Sequence, residues 1–153
     1  MESNEDLVKK AVTGFQNGYN CTQSILLTLF GHILPGGKSD LVPRIASGFG
    51  GGIGLCGSVC GALTGTILAV GIKYGSNEVG EENNVAAYTM ANALYKMFEE
   101  QHGTVLCRNL VKYDLTEPEQ VAKARQERVF ETHCINYVKT AVENYLALEN
   151  RKF

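Results

Sequence analysis

The chain has 153 residues and a formal net charge of -2 at pH 7, which is typical of one domain with a sizeable buried core. It lacks the basic surplus of nucleic-acid-binding proteins, so we expect no nucleic-acid partner. The N-terminal segment MESNEDLVKK has no basic flank followed by an apolar run, which argues against a cleaved export signal.

The five cysteines indicate the chemistry and the compartment. Their odd number argues against a fully paired disulfide framework. Without an export signal they favour a reducing compartment, and we expect the cytoplasm. In such a compartment clustered thiols more often bind metal or carry out redox chemistry than form structural disulfides.

The first part of the chain predicts three helices. Asn4 is placed to cap the first, which ends near Gly18, and Asn20 to cap the second. Cys21 then lies in the first turn of the second helix, where free N–H groups and the helix dipole favour a thiolate. The segment SDLVPRIASGFG predicts a short third helix. The inner face of the first helix consists of Leu7, Val8, Ala11 and Phe15.

The segment GFGGGIGLCGSVCGALTG, residues 48–65, is unusually rich in glycine. It is no phosphate-binding P-loop, because no lysine follows its glycines until Lys73. Gly52, Gly54 and Gly57 match G-x-G-x-x-G, but no convincing strand precedes them, as a dinucleotide-binding fold requires. We expect a glycine-rich turn and then a central buried helix from after Gly54 to about residue 72.

Two stripes lie on this predicted helix. One stripe repeats a small residue every four positions, which favours the close approach of another backbone. It consists of Gly57, Gly61, Gly65 and Ala69. The other holds Cys56, Cys60 and Thr64, so that two thiolates on one face could converge on a metal. The alternative for each cysteine is a small apolar filler of the core.

The second half continues the helical pattern. Residues 81–103 predict a long amphipathic helix ending at Gly103, with Val85, Leu94, Met97 and Phe98 inward. A short helix or turn carries Cys107. The last helix is predicted to open with the capping box TEPE, Thr116 to Glu119, and to run to Tyr145. Its inner positions are Val121, Ala124, Ile135, Val138, Val142 and Tyr145.

The pattern as a whole predicts an all-α fold, a compact bundle of about five to six helices in a single domain over residues 1–153. The 28 uncharged residues between Arg44 and Lys73 exceed the about 20 needed to cross a bilayer. We expect no membrane insertion, because the glycine run disfavours a continuous helix.

Four short segments resemble one known family. GFQNGYNC, CGALTG, LCRNL and HCINYV are similar to the cysteine motifs of the C_GCAxxG_C_C family, whose members are described as redox-active. The resemblance covers nearly the whole chain and implies that the family cysteines are Cys21, Cys60, Cys107 and Cys134. Cys56 falls outside the signature. The alternatives for it are an extra ligand, a resolving thiol or a buried residue.

The first functional hypothesis is an iron–sulfur cluster held by these four cysteines for electron transfer, with Cys56 as a candidate for an extra metal ligand. Glycines would then let backbone N–H groups approach the cluster sulfurs. Zinc is less favoured, since the short paired spacings of structural zinc sites are absent. The glycines placed for such cofactor contact are Gly51, Gly52, Gly54, Gly57 and Gly61.

The second hypothesis is a thiol–disulfide oxidoreductase without metal. A low-pKa thiolate, Cys21 or Cys60, would attack and a second cysteine would resolve the intermediate. No C-x-x-C occurs, which excludes a thioredoxin-type site, and His102 and His133 are candidate neighbours of Cys107 and Cys134. A third hypothesis is a non-enzymatic helical interaction protein with core cysteines. The redox partner is unidentified, and the glycine-bearing helix is a candidate surface for a homodimer.

Overall fold

The polypeptide folds into α-helices joined by short connections, in a computed structural model that describes residues 1–151. Over that range there is no strand, only an isolated antiparallel bridge between Val59 and Leu106. The helices are α1 Asn4–Gln16, α2 Cys21–Ile33, α3 Leu41–Ala46, α4 Gly61–Tyr74, α5 Val85–His102, α6 Cys107–Val111, α7 Pro118–Gln126 and α8 Ile135–Leu148. Shorter helical turns cover Ser47–Phe49, Glu81–Asn84 and Phe130–Cys134.

The all-α prediction is confirmed, but the described residues form eight helices and not five or six. The main difference is that the last predicted helix is divided into two helices, α7 and α8. Arg128 takes a left-handed conformation (φ 55°) and a wide π-type turn, Phe130–Cys134, follows it. This break redirects the chain before α8 begins.

The predicted helix ends are partly right. Asn20 caps α2, and its side chain accepts a hydrogen bond from the N–H of Gln23; Gly103 ends α5 at φ 79°. The cap of α1 is Ser3 and not Asn4, because Ser3 and Asp6 form a capping box. The TEPE capping box does not form, because the Thr116 hydroxyl donates to Asp114 instead.

The central helix α4 begins at Gly61, six residues later than the predicted start at Leu55. Residues 50–55 form turns instead, and the chain from Cys56 to Cys60 is irregular apart from the bridge at Val59. The prediction that Cys56 and Cys60 lie four residues apart on one helix face is therefore wrong. Gly57 is likewise not helical; it takes a left-handed turn conformation (φ 71°).

Helix α4 packs closely against α2 in the middle of the core. A β-carbon at Gly65 would lie 3.1 Å from both Ile25 Cβ and the Thr22 carbonyl oxygen, so glycine here allows the two helices to approach. The glycine face of α4 is thus covered within the chain. The largest fully buried side chains belong to the same hydrophobic core: Tyr145, Phe98, Leu7, Ile25, Leu29 and Leu63.

The inward face of α5 is mostly as predicted. Leu94 and Phe98 are buried and Met97 packs partly against the core. Val85 is not inward, since it is 58% exposed at the start of the helix. Within residues 1–151, no helix combines the length and the apolar character that crossing a membrane requires.

Candidate four-cysteine site

Four cysteines line one cavity of about 540 Å³. They come from different parts of the chain and from different elements of the fold. Cys60 and Cys107 are almost fully buried, whereas Cys21 and Cys134 are partly exposed. All four are free thiols.

Each of these cysteines stands at the start of a helix. Cys21 is the first residue of α2 and Cys107 the first of α6. Cys60 immediately precedes α4, and Cys134 is the last residue of the π-type turn that leads into α8. Because backbone N–H groups point outward at helix starts, this arrangement surrounds the cavity with hydrogen-bond donors.

The glycine-rich segment forms a left-handed helical turn beside the cavity. Gly51, Gly52, Ile53, Gly54 and Leu55 have consecutive positive φ angles between 55° and 68°. The turn is closed by hydrogen bonds from the N–H of Ile53 to the Phe49 carbonyl (3.1 Å) and from that of Gly54 to the Gly48 carbonyl (2.9 Å). A left-handed conformation costs an L-residue about 1–2 kcal/mol, so Ile53 and Leu55 are strained.

The chain that follows this turn pairs with the start of α6. The N–H of Cys107 donates to the Ser58 carbonyl (2.7 Å), and the N–H of Cys60 donates to the Val105 carbonyl (2.8 Å). Arg108 adds both its backbone N–H and its side-chain Nε–H to the Gly57 carbonyl. This short ladder fixes Cys60 and Cys107 beside each other.

The glycines mainly provide clearance for neighbouring protein groups. A β-carbon at Gly52 would lie 2.7 Å from Cys107 Cβ, and one at Gly57 would lie 2.8 Å from Arg108 Cβ. Gly51 and Gly61 line the four-cysteine cavity, and a β-carbon at Gly61 would collide with the Cys21 sulfur. Around Gly54 the space is open.

The thiols are held in their protonated form. Burial raises the pKa of Cys21, although hydrogen bonds from the backbone of Thr22, Cys21 and Gly51 act the other way. Burial and the neighbouring Cys21 charge raise the pKa of Cys60 far above its usual value and that of Cys107 to about 12. The same two causes raise the pKa of Cys134. The expectation of a low-pKa thiolate at Cys21 or Cys60 is wrong, because loss of solvent outweighs the helix-start donors.

Cys56 lies apart from this cavity. It is exposed and lines a different, open cavity of about 520 Å³ together with Arg108 and Lys112. Among residues 1–151 no group of three or more histidines, cysteines or acidic residues is gathered closely enough to hold a metal ion.

The two histidines named in the sequence do not bond to the cysteines. His133 is exposed and its Nδ1 lies 3.1 Å from the Thr132 hydroxyl. The His102 ring packs against that of Phe98 at a tilt of 56° and meets the Tyr137 ring edge-on at 4.9 Å. Burial lowers the pKa of His102.

Among the cavity-lining residues that sequence reasoning missed are Tyr137, Arg125 and Glu131. The Tyr137 hydroxyl donates to the Leu110 carbonyl (3.2 Å), which ties α8 to α6. Its position three residues after Cys134, in HCINYV, places it on the same side of a helix as that cysteine. That spacing was the available signal.

The fold and the cavity define an all-helical protein with four cysteines around one site. The chain belongs to the C_GCAxxG_C_C family, whose model carries the description "Putative redox-active protein (C_GCAxxG_C_C)" and matches residues 19–148. This confirms the resemblance noted in the sequence. An "Uncharacterized protein" of Archaeoglobus fulgidus is 28% identical over 152 residues, covering 94% of this chain and 93% of the relative. No solved structure matches the chain.

Proposed function

We propose that the protein is an electron carrier that binds an iron–sulfur cluster through Cys21, Cys60, Cys107 and Cys134. The observation that supports this most directly is that these four cysteines, distant in sequence, line one cavity. Four cysteine thiolates are the usual ligand set of [2Fe–2S] and [4Fe–4S] clusters, which supply reversible one-electron transfer.

The electrostatics of the cavity support a metal centre over free thiolates. Each thiol resists ionisation because it is buried, and an ionised Cys21 makes the ionisation of Cys60, Cys107 and Cys134 still harder. Four thiolates in one cavity therefore need a compensating positive charge. Metal coordination supplies that charge and removes the thiol protons.

Backbone N–H groups stand near two of the sulfurs. Those of Thr22 and Gly51 act to lower the pKa of Cys21 against the larger effect of burial, and that of Ala62 acts in the same way on the pKa of Cys60. Such donors orient ligand sulfurs and stabilise the more negative state of a redox centre, which raises its potential. In this chain they come from the starts of α2 and α4 and from the left-handed turn.

The proposal is a cluster and not a single zinc ion. A tetrahedral zinc site needs four ligands at about 2.3 Å from one point and usually draws on short paired cysteine spacings, which these four cysteines lack. The ligands of a cluster bind different iron atoms and are spread around it. Cysteines placed around the wall of a cavity suit that second arrangement.

Purification without oxygen, followed by visible spectroscopy and iron and sulfide analysis, tests the proposal. We expect a brown protein with near-stoichiometric iron and acid-labile sulfide. Cys60→Ser should lose the iron and the colour, whereas Cys56→Ser should keep both, because Cys56 is exposed and outside the cavity. A colourless, iron-free wild-type protein would contradict the proposal.

A second candidate function is thiol–disulfide exchange, supported by the position of Cys21. Its sulfur lies against Gly61, the residue next to Cys60, so these two thiols are suited to pair. Their oxidation by a partner disulfide would release two protons and transfer two electrons, which leaves the partner as two thiols. An iron-free protein that loses two titratable thiols on mild oxidation would favour this function; unreactive thiols without metal would favour a purely structural role.

A further inference from the structure

The four-cysteine cavity has a closed end and an open end. Cys60 and Cys107, 5% and 7% exposed, form the closed end, whereas Tyr19 and Leu55, 45% and 44% exposed, stand at the open end. We call the open end the vestibule. It is lined by Phe15, Tyr19, Leu55, Arg125, Phe130 and Glu131.

The cavity to which the vestibule belongs has the size of a site for a small organic molecule. The cavity of about 540 Å³ lies within the range of roughly 300–1,000 Å³ found for organic ligands. Because metal–sulfur bonds are only about 2.3 Å long, a metal centre would occupy the cysteine end of the cavity and leave the vestibule free. In the vestibule, three aromatic rings and a leucine offer an apolar surface to a planar body.

Two opposite charges stand at the rim of the vestibule. Arg125 projects from α7 and Glu131 from the π-type turn, and neither forms an ion pair within the described part of the chain. A free guanidinium beside apolar walls binds carboxylates through paired hydrogen bonds. Glu131 repels a second negative charge on the same ligand.

We propose that the vestibule binds a small monocarboxylate with an aromatic body. Its carboxylate would pair with Arg125, and its ring would pack against Phe15, Tyr19 and Phe130. The inference rests on the proposed function, because the bound molecule would lie beside the redox centre. It names the class of ligand that the redox site admits.

Calorimetric titration of the full-length, anaerobically purified protein with benzoate tests this site. We expect benzoate to bind, benzamide to bind more weakly because it lacks the charge, and phthalate to bind more weakly because Glu131 repels its second carboxylate. Arg125→Gln should weaken benzoate binding about tenfold or more. Lys123→Gln, an exposed neighbour on α7 outside the cavity, is the matched control and should bind like wild type.

A second variant makes the test sharper. Glu131→Gln should strengthen phthalate binding and leave benzoate binding almost unchanged. Circular dichroism confirms that each variant is folded. The proposal is overturned if benzoate does not bind to folded wild-type protein, or if Arg125→Gln and Lys123→Gln bind it equally well.

Iron content, measured on the same samples, separates the two proposals. If iron-loaded protein does not bind benzoate, the proposed carboxylate site is overturned and the cluster proposal stands. Iron-free protein that binds benzoate through Arg125 supports the vestibule and contradicts the cluster.

Discussion

The sulfur of Cys21 occupies the space that a side chain at Gly61 would fill. The same space borders the Thr22 hydroxyl, which donates to the Gly61 carbonyl at 2.9 Å. The start of α2 and the start of α4 are therefore in direct contact. Because Cys60 precedes Gly61, this contact also sets the position of Cys60 relative to Cys21.

Gly61→Ala tests how much the site depends on this contact. The new β-carbon would collide with the Cys21 sulfur and lie 2.7 Å from the Thr22 hydroxyl, so Cys21 must leave its position or the helices must separate. We expect the variant to lose most of its bound iron and to be destabilised by about 1–3 kcal/mol, as overpacked cores are. Iron analysis and urea denaturation measure the two effects.

Gly71→Ala is the matched control on the same helix. No atom lies within 4 Å of a β-carbon at this exposed position, and alanine is the better helix former by about 1 kcal/mol. It should keep its iron and gain stability. Equal iron loss in the two variants would show that the Gly61 contact does not hold the site together.

Alkylation should separate Cys56 from the other four cysteines. Thiolates are the reactive species, and burial raises the pKa of Cys21, Cys60, Cys107 and Cys134, whereas Cys56 is exposed. In metal-free, reduced protein at pH 8 we expect one fast-reacting thiol with iodoacetamide and four slow ones. Mass spectrometry of peptides identifies the fast site.

Cys56→Ser should remove the fast phase and leave the slow one. Addition of denaturant should make the remaining thiols react at a common rate, because unfolding removes their burial. Fast labelling of Cys60 in the folded protein would contradict the described burial of the site.

Local signals in the sequence predicted much of the fold but not the left-handed turn. Asn20 and Gly103 mark helix ends through local chemistry, which a sequence displays. The turn instead places Ile53 and Leu55 in a conformation that both residues disfavour. Tertiary hydrogen bonds next to the turn, such as Cys107 to Ser58, hold the neighbouring chain, and no local pattern reveals them.

The distinction between local signals and tertiary contacts also applies to the cysteine site. The motif around each cysteine indicated which thiols line one cavity, but a helical interpretation of residues 56–60 placed Cys56 beside Cys60 although the helix starts later. The break at Arg128 also has no glycine or proline to mark it. As a result Arg125 and Glu131, which flank that break and line the cavity, were not found.

The strain at Ile53 predicts an inverted order of stability for two substitutions. In a right-handed helix alanine is more stable than glycine by about 1 kcal/mol. At Ile53, with φ 64°, glycine should be more stable than alanine by about 1 kcal/mol, because only alanine keeps the left-handed penalty. Urea denaturation of Ile53→Gly and Ile53→Ala measures the difference in the free energy of unfolding. Comparison of wild type with Gly71→Ala gives the usual order for a right-handed helix, in which alanine is the more stable residue. Alanine as the more stable residue at both positions would rule out the left-handed turn.

The raised thiol pKa values predict that metal-free protein loses stability in alkaline solution. An unfolded cysteine has a pKa of about 8.5, whereas that of Cys107 in the folded protein is about 12. Below pH 8.5 both states keep the proton and the full stability is present. Between these values the unfolded chain releases the proton first, so the free energy of unfolding falls by up to about 1.4 kcal/mol per pH unit for this thiol.

Cys107→Ser isolates this contribution from the other groups that titrate at high pH, because a serine hydroxyl does not ionise there. Urea denaturation of reduced, metal-free protein at several values from pH 8 to pH 11 should give a steeper decline for wild type than for Cys107→Ser. The gap between the two curves should shrink as pH rises, since the thiol stabilises the folded state only while the unfolded chain keeps its proton. Parallel curves would mean that Cys107 ionises equally readily in both states and is not buried as described.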